Sequence, residues 1–445
     1  MMRRPLTAIG LAGVALLGAY ITAMIVLAKP DGRVVFGDAT HHFVQLRSLV
    51  YDRDLHFQNE YVRIYRLRGD EPGTEWIFRD LTDTGRVRNY MPVGPALLWA
   101  PLYLLFSALQ LAASWAGLAR PPDGFDRLLQ MVPGITGVIA ATLASAITWR
   151  AVRKTAGDDS TTVAVFGVWF GSHAIYYTLV SPSYSHAASM FAASLFFSVW
   201  IGARARITVR RVAGWGALVG LMALMRWQDV VFGVIPLIEI LRWRVSWPQR
   251  VRACLATGAA FLVVFAPQMA VWTVLYGQPF ALPQGPSFIQ WTHPHPWAVL
   301  FSDNHGLFSW APLLLLATAG LLVALWRQPV WRLPLGAVLL LSWYINAAVA
   351  DWWAGEAFGA RRFLSLFPLF VLGLATWLGR RDIDPVAWRR RVSAVVVFGA
   401  LNWLLLLQYQ IFMKGLRDLA AYPKGFDLWT ERFLVPFRVL AWLFS

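Results

Sequence analysis

The sequence predicts an all-α, polytopic membrane protein, on three observations. The 445 residues are 58% hydrophobic and only 14% charged, whereas soluble chains carry about a quarter of their residues charged. Long apolar runs recur from end to end, at lengths suited to membrane helices of roughly 20 residues. Basic residues fall in short clusters between those runs, as the positive-inside rule expects of a cytoplasmic face. The clusters are Arg150, Arg153 and Lys154; Arg204, Arg206, Arg210 and Arg211; Arg242, Arg244, Arg250 and Arg252; Arg327 and Arg332; and Arg380, Arg381 and Arg389 to Arg391. They account for the net charge of +16 without a nucleic-acid partner.

Twelve apolar segments can be marked, at about 6–28, 94–119, 128–149, 161–180, 185–203, 213–225, 229–241, 253–276, 306–326, 331–350, 362–379 and 391–413. The first follows Met-Met-Arg-Arg and exceeds the roughly 7–15 residues of a signal-peptide core, so it reads as a retained anchor. The expectation is a single membrane domain over 1–413 with no soluble insertion. Its largest polar stretch, 29–93, forms a first external loop. The tail 414–445 ends in "FLVPFRVLAWLFS", too short to span and suited to the interface. Cys254 is the only cysteine, which excludes a disulfide framework and a cysteine metal site.

Parity sets a puzzle near the start. An even number of spans must separate Arg4 from Arg150 if both are cytoplasmic, yet three apolar segments lie up to there. Either one of 94–119 and 128–149 is not a simple span, or the 150–154 cluster lies outside. Pro95 and Pro101 mark the start of 94–119 as the place for irregularity. Further on, parity requires 213–241 to be two short helices with Arg226, Gln228 and Asp229 at the turn. Thirteen residues at 1.5 Å each reach about 20 Å, short of a roughly 30 Å hydrocarbon core. The turn therefore belongs below the outer surface, in a polar cavity. This orientation gathers all eight histidines on or near one face, which favours a catalytic site over a transport path.

Several stretches on that face carry ionisable groups. In "FGDATHHFVQLRSL" (36–49), Phe43, Leu46 and Val50 make an apolar stripe while Asp38, His41, His42 and Gln45 share another face. That is an amphipathic surface helix, in which Asp38 either faces a cavity or merely caps. Asp52 and Asp54 could hold a divalent ion or serve a turn. "THPHP" (292–296) reads as a rigid proline-rich loop. "MRWQD" (225–229) buries Arg226 and Asp229, either as a functional pair or as an internal salt bridge. "DWWAGEAFGARRF" (351–363) carries Glu356, Arg361 and Arg362, which either anchor at the interface or meet an anion. Two arginine stations on one outer face suit a lipid phosphate, because guanidinium offers a permanent charge and a planar donor fork.

These motifs, taken in order, resemble the GT-C superfamily of glycosyltransferases. The likeness is to the small bacterial members grouped with the protein mannosyltransferases and aminoarabinose transferases. "GDATHHFVQLRSL", "DRDLHFQNEY", "YMPVGPALLWAPLYLL", "SPSYSHAASMF", "ALMRWQDVVFGVIP", "NHGLFSWAPLLLL" and "WWAGEAFGARRF" carry the resemblance, which runs to about residue 380. It implies a GT-C fold of about 11–12 membrane helices with surface helices in the first loop. It also implies a polyprenyl-phosphate sugar donor, and a lipid, glycan or protein acceptor. The catalytic first-loop acid maps onto Asp38 and the basic residue of the paired short helices onto Arg226. Arg361 and Arg362 join Arg226 as donor-phosphate ligands. Weaker substrate contacts are assigned to His41, His42, Gln45, Asn59, Glu60, Tyr61, His186, Gln228, Asp229 and Glu356. Relatives often carry a second acid at the start of the fifth segment, where this chain has "SPSYSHA", so a divalent cation (Mg²⁺ or Mn²⁺) is not favoured and no metal ligand is assigned.

The expected activity is therefore an inverting sugar transfer on the periplasmic side of a bacterial inner membrane. The alternatives are a transporter or flippase of a polyprenyl-linked substrate, and a non-catalytic scaffold. A transporter should show broken helices at the midplane with internal symmetry, and no two-fold repeat is evident in the chain.

Overall fold

The computed structural model describes residues 4–26, 32–65, 78, 80–204, 206–355, 358–382, 384–410 and 428–443. Among the described residues it is an all-helical membrane bundle, with eight helices long and apolar enough to cross a bilayer. The first, α1 (Pro5–Val26), packs antiparallel to the long α5 (Arg127–Ala156). Small residues permit the approach. A Cβ on Gly13 would lie 2.4 Å from the Thr142 hydroxyl, and one on Gly134 would lie 2.1 Å from the Tyr20 ring. Arg127 donates to the carbonyls of Met24 and Ile25 at the C-terminal end of α1, while Arg4 and Arg150 line one recess at the other end.

That pairing resolves the parity puzzle. Between α1 and α5 lie the surface helices α2 (Asp38–Arg47) and α3 (Gln58–Tyr65), and then α4 (Gly94–Trp115). α4 has the length and hydropathy of a span, but it runs beside α2 and the π-turn Ser48–Asp52. Trp99 meets the His42 ring edge-on, Tyr103 bonds the Gly124 carbonyl, and Tyr51 bonds Ser107. The chain starts and finishes this passage at the same end of the bundle, so 27–126 makes no net crossing, and the 150–154 cluster shares the opposite end with Arg4.

The later passes are interrupted at the end of the bundle that carries α2 and α3. α6 (Asp158–Phe170) stops well before the end of the apolar segment expected at 161–180. Residues 171–184 continue as a buried turn containing the π-turn Tyr176–Val180, before α7 (Ser185–Ala203) returns. The Ser172 hydroxyl bonds back to Val168, and the Ser172 carbonyl accepts from the Asn402 side chain and the Ile175 N–H. A non-helical backbone inside a membrane protein needs such partners.

α8 (Val209–Met225) ends at Arg226, whose backbone is extended. A 3₁₀ stretch, Trp227–Gly233, leads into α9 (Val234–Arg242), so the helix breaks at Arg226 and the second member of the pair begins as 3₁₀ rather than α. α10 (Trp247–Tyr276) lies along α8, where Gly216 and Gly220 let the backbones meet. α11 (Leu313–Arg327) and α12 (Pro329–Ala348) follow. A third interruption, the 3₁₀ turn Arg361–Leu366, opens α13 (Phe367–Leu378), the most buried of the candidate spans. α14 (Pro385–Gln408) completes the bundle, and α15 (Glu431–Leu443) packs on it. Residues 414–427 of the tail lie outside the described residues.

Candidate active site

The three interruptions converge beneath the start of α2. Gly37 precedes that helix with φ of +55°, a region open to glycine and costly for other residues. A Cβ there would also lie 2.1 Å from the Tyr184 hydroxyl, so the tyrosine of 171–184 lodges against the entry to α2. Asp38 is the first helical residue, and Gly37 holds the N-cap position. The Asp38 carboxylate meets the Arg361 guanidinium at 2.9 Å. The same guanidinium lies over the Tyr184 ring, 5.6 Å from its centroid.

Arg226 enters from the α8 break. It donates to Ser185 at 3.2 Å, to the His186 ring at 3.0 Å and to Gln228 at 3.1 Å. A guanidinium can only donate, so His186 turns a ring lone pair towards it. Among the described residues no carboxylate lies within ion-pair distance of Arg226. The internal salt bridge with Asp229 does not form, because Asp229 accepts from Ser189 at 2.5 Å instead. Arg226 is thus a cation held by neutral groups, partly open to solvent.

The polar face of α2 is fixed from behind. His41 bonds Tyr61 at 2.6 Å, and His42 Nδ1 bonds the Pro92 carbonyl at 2.8 Å. Gln45 donates to Asn89 and to the Met91 carbonyl, while Asn89 donates to the His41 carbonyl. Burial pushes His41 down, and pushes His42 down to about 4, so both rings are neutral near pH 7. Burial would raise the Asp38 carboxyl, but Arg361, the two histidines and Arg226 outweigh it and hold Asp38 below its ordinary value. Asp38 is therefore ionised at neutral pH.

Of the residues assigned to the site, Asp38, His41, His42, Gln45, His186, Arg226, Gln228 and Arg361 are brought together. Arg362 is adjacent, but its fork is filled by Asp351 at 2.7 and 2.8 Å. Gln228 accepts from Arg226 and donates to the Arg362 carbonyl at 2.8 Å, joining two of the interruptions. Tyr61 supports His41 from behind. Asn59 and Glu60 lie elsewhere: Asn59 donates to Asp52, and Glu60 is buried against Arg47 at 2.9 Å. Asp52 and Asp54 have separate partners, Arg47 and Ser48. The 292–296 loop docks on α12, with the His295 N–H donating to the Ala347 carbonyl. Glu356 lies outside the described residues. Among the described residues no three His, Cys, Asp or Glu side chains group as a metal site.

Tyr184 and Asp351 take positions that sequence reasoning did not assign. Asp351 heads the "DWW" stretch and could have been matched to the arginines of its own loop. Nothing in the local pattern pairs Gly37 with Tyr184.

No family model matches the chain, and no curated protein matches it in sequence. Among solved structures, ArnT from Cupriavidus metallidurans bound to undecaprenyl phosphate aligns with a TM-score of 0.52 at 15% identity. The alignment covers 91% of this chain and 65% of that one. The same protein in the apo state aligns at a TM-score of 0.47 and 13% identity. This chain thus spans slightly under two thirds of the length of ArnT, and it shares with it the polytopic GT-C fold.

Proposed function

We propose that the protein is an inverting membrane glycosyltransferase that moves a sugar from a polyprenyl-phosphate donor to an acceptor hydroxyl on the outer face of the membrane. The observation that carries this reading is the ion pair between Asp38 and Arg361, 2.9 Å apart, beside an Arg226 that has no anionic partner among the described residues. The ArnT likeness, to a structure bound to undecaprenyl phosphate, supports a lipid phosphate as the missing anion. The reading includes membership of the protein mannosyltransferase and aminoarabinose transferase group, and a periplasmic site in a bacterial inner membrane.

The charges balance through the reaction. One carboxylate, two guanidiniums and the single negative charge of the donor phosphodiester sum to zero. The acceptor oxygen attacks the anomeric carbon as the bond from that carbon to the phosphate oxygen breaks, and Asp38 takes the hydroxyl proton. The protonated acid, the lipid phosphate dianion and the two arginines again sum to zero. Fixed cations facing the phosphate favour the charge that develops on it. Because the hydroxyl becomes acidic only as its bond to carbon forms, a carboxylate of low basicity suffices, as for the base of an inverting glycosidase. Arg361 is the one of the neighbouring pair that faces Asp38, and Asp351 keeps Arg362 as its support.

The test is transfer from a radiolabelled polyprenyl-phosphate sugar by the purified protein. Asp38→Asn is expected to fold and bind donor while losing on the order of a hundredfold to ten-thousandfold in transfer, the range for a general base. Full activity in that variant would sink the assignment, and retention of anomeric configuration in the product would sink the mechanism.

A further inference from the structure

At the end of the bundle opposite Asp38, a recess of about 980 Å³ opens between the start of α1, the end of α5, the end of α7 and the start of α12. Arg4, Arg150, Arg153 and Lys154 line it, with Asp158 as its one acid. Asp158 pairs with Arg153 at 3.4 Å, and Arg153 also lies over the Trp149 ring. Among the described residues, Arg4, Arg150 and Lys154 have no carboxylate within ion-pair distance. The wall includes Leu6, Ile201 and Trp331. A hollow with an apolar wall and a cationic rim, at the ends of membrane helices, matches a lipid with an anionic head.

We propose that this recess binds the phosphate headgroup of an anionic phospholipid, with acyl chain against Leu6, Ile201 and Trp331. Three observations converge on it. The cations come from the segment before α1 and from the end of α5, and they surround a volume far larger than a phosphate, so they form a site rather than a row. Their excess over Asp158 leaves the recess short of negative charge. Its place is the face that the positive-inside rule assigns to the cytoplasm, where anionic lipids attract basic groups at the surface. The proposal does not depend on the sugar-transfer reading, since it uses none of that site's residues.

Native mass spectrometry of the full chain in detergent, titrated with cardiolipin, phosphatidylglycerol or phosphatidylcholine, tests it. The protein is expected to hold at least one anionic lipid and to discriminate against phosphatidylcholine. Each cation near a charged membrane surface contributes roughly a fivefold gain in binding. The double variant Arg150→Gln/Lys154→Gln should therefore bind anionic lipid on the order of twentyfold more weakly. The charge-matched control Arg242→Gln/Arg244→Gln should keep wild-type binding, and Arg150→Lys/Lys154→Arg should restore most of it. Equal losses in the first two pairs would mean diffuse charge attraction, and no loss in the recess variant would mean no site. Displacement of the lipid by millimolar inorganic phosphate would point to a soluble anion. Any of these three results overturns the proposal.

Discussion

At the outer end of the bundle, Arg226, Arg361 and Arg362 are each clasped by named groups: Ser185, His186 and Gln228; Asp38; and Asp351. At the opposite end, outside the basic recess, Arg242 and Arg244 are exposed, and among the described residues they make no ion pair. The residue type is the same but the physical task differs. Exposed cations such as these two need only remain hydrated to fix orientation, so their exact positions are free. Outer cations sit where the helices break, and a break inside a membrane must satisfy its own polar groups. Held side chains are poised to act on a bound anion, whereas solvated ones set topology.

The sharpest way to break this contrast is to remove the clasped cation that has no anionic partner among the described residues. Arg226→Ala is expected to lower kcat at saturating donor by about a hundredfold or more, measured as initial transfer rate. Near-normal turnover would mean that Arg226 is structural. A smaller effect follows from the backbone that aims Asp38. Gly37→Ala adds a Cβ where the Tyr184 hydroxyl sits and at a φ that disfavours it, so transfer should fall on the order of tenfold, since misplacing a catalytic group is costly. Adding Tyr184→Phe removes the clashing oxygen and should recover part of the loss; strict additivity of the two changes would argue against the contact.

The next effect concerns stability. Burial pushes the Glu60 carboxyl up to about 7, from an ordinary value near 4.3. A raised carboxyl favours the folded state when protonated, so its cost enters as pH rises past about 4.3 and is complete above about 7. Glu60→Gln should therefore raise the melting temperature more at pH 8 than at pH 5, read by circular dichroism in detergent. A gap that ignores pH would contradict this. The smallest effect is expected at the inner end, where Arg244→Gln should leave transfer unchanged.

Much of this arrangement was legible in the sequence. Asp38, His41, His42 and Gln45 follow helical spacing, and length arithmetic placed a break at Arg226, because 13-residue helices cannot cross. Parity also exposed the problem with 94–119, although it left two solutions open. The pairings that give the site its charge balance were not legible. Asp38 and Arg361 lie more than three hundred positions apart, and Gly37 with Tyr184 is a contact of shape rather than of residue type. The early end of α6 was hidden as well, since residues 171–180 are as apolar as a span and only Ser172 and Asn402 betray the turn.

The course of α4 has a consequence for the whole molecule. An apolar helix of 22 residues that links two segments meeting at the same end of the bundle adds helix area at that end. Its exposed Leu97, Leu104, Leu105, Leu109 and Leu111 give that extra area an oily perimeter. Unequal helix area in the two monolayers gives a membrane protein a wedge-shaped footprint. A wedge is sorted by curvature, so reconstituted protein oriented with Asp38 outward should enrich in small vesicles over large ones. Equal surface density in both would show that neighbouring lipids absorb the difference.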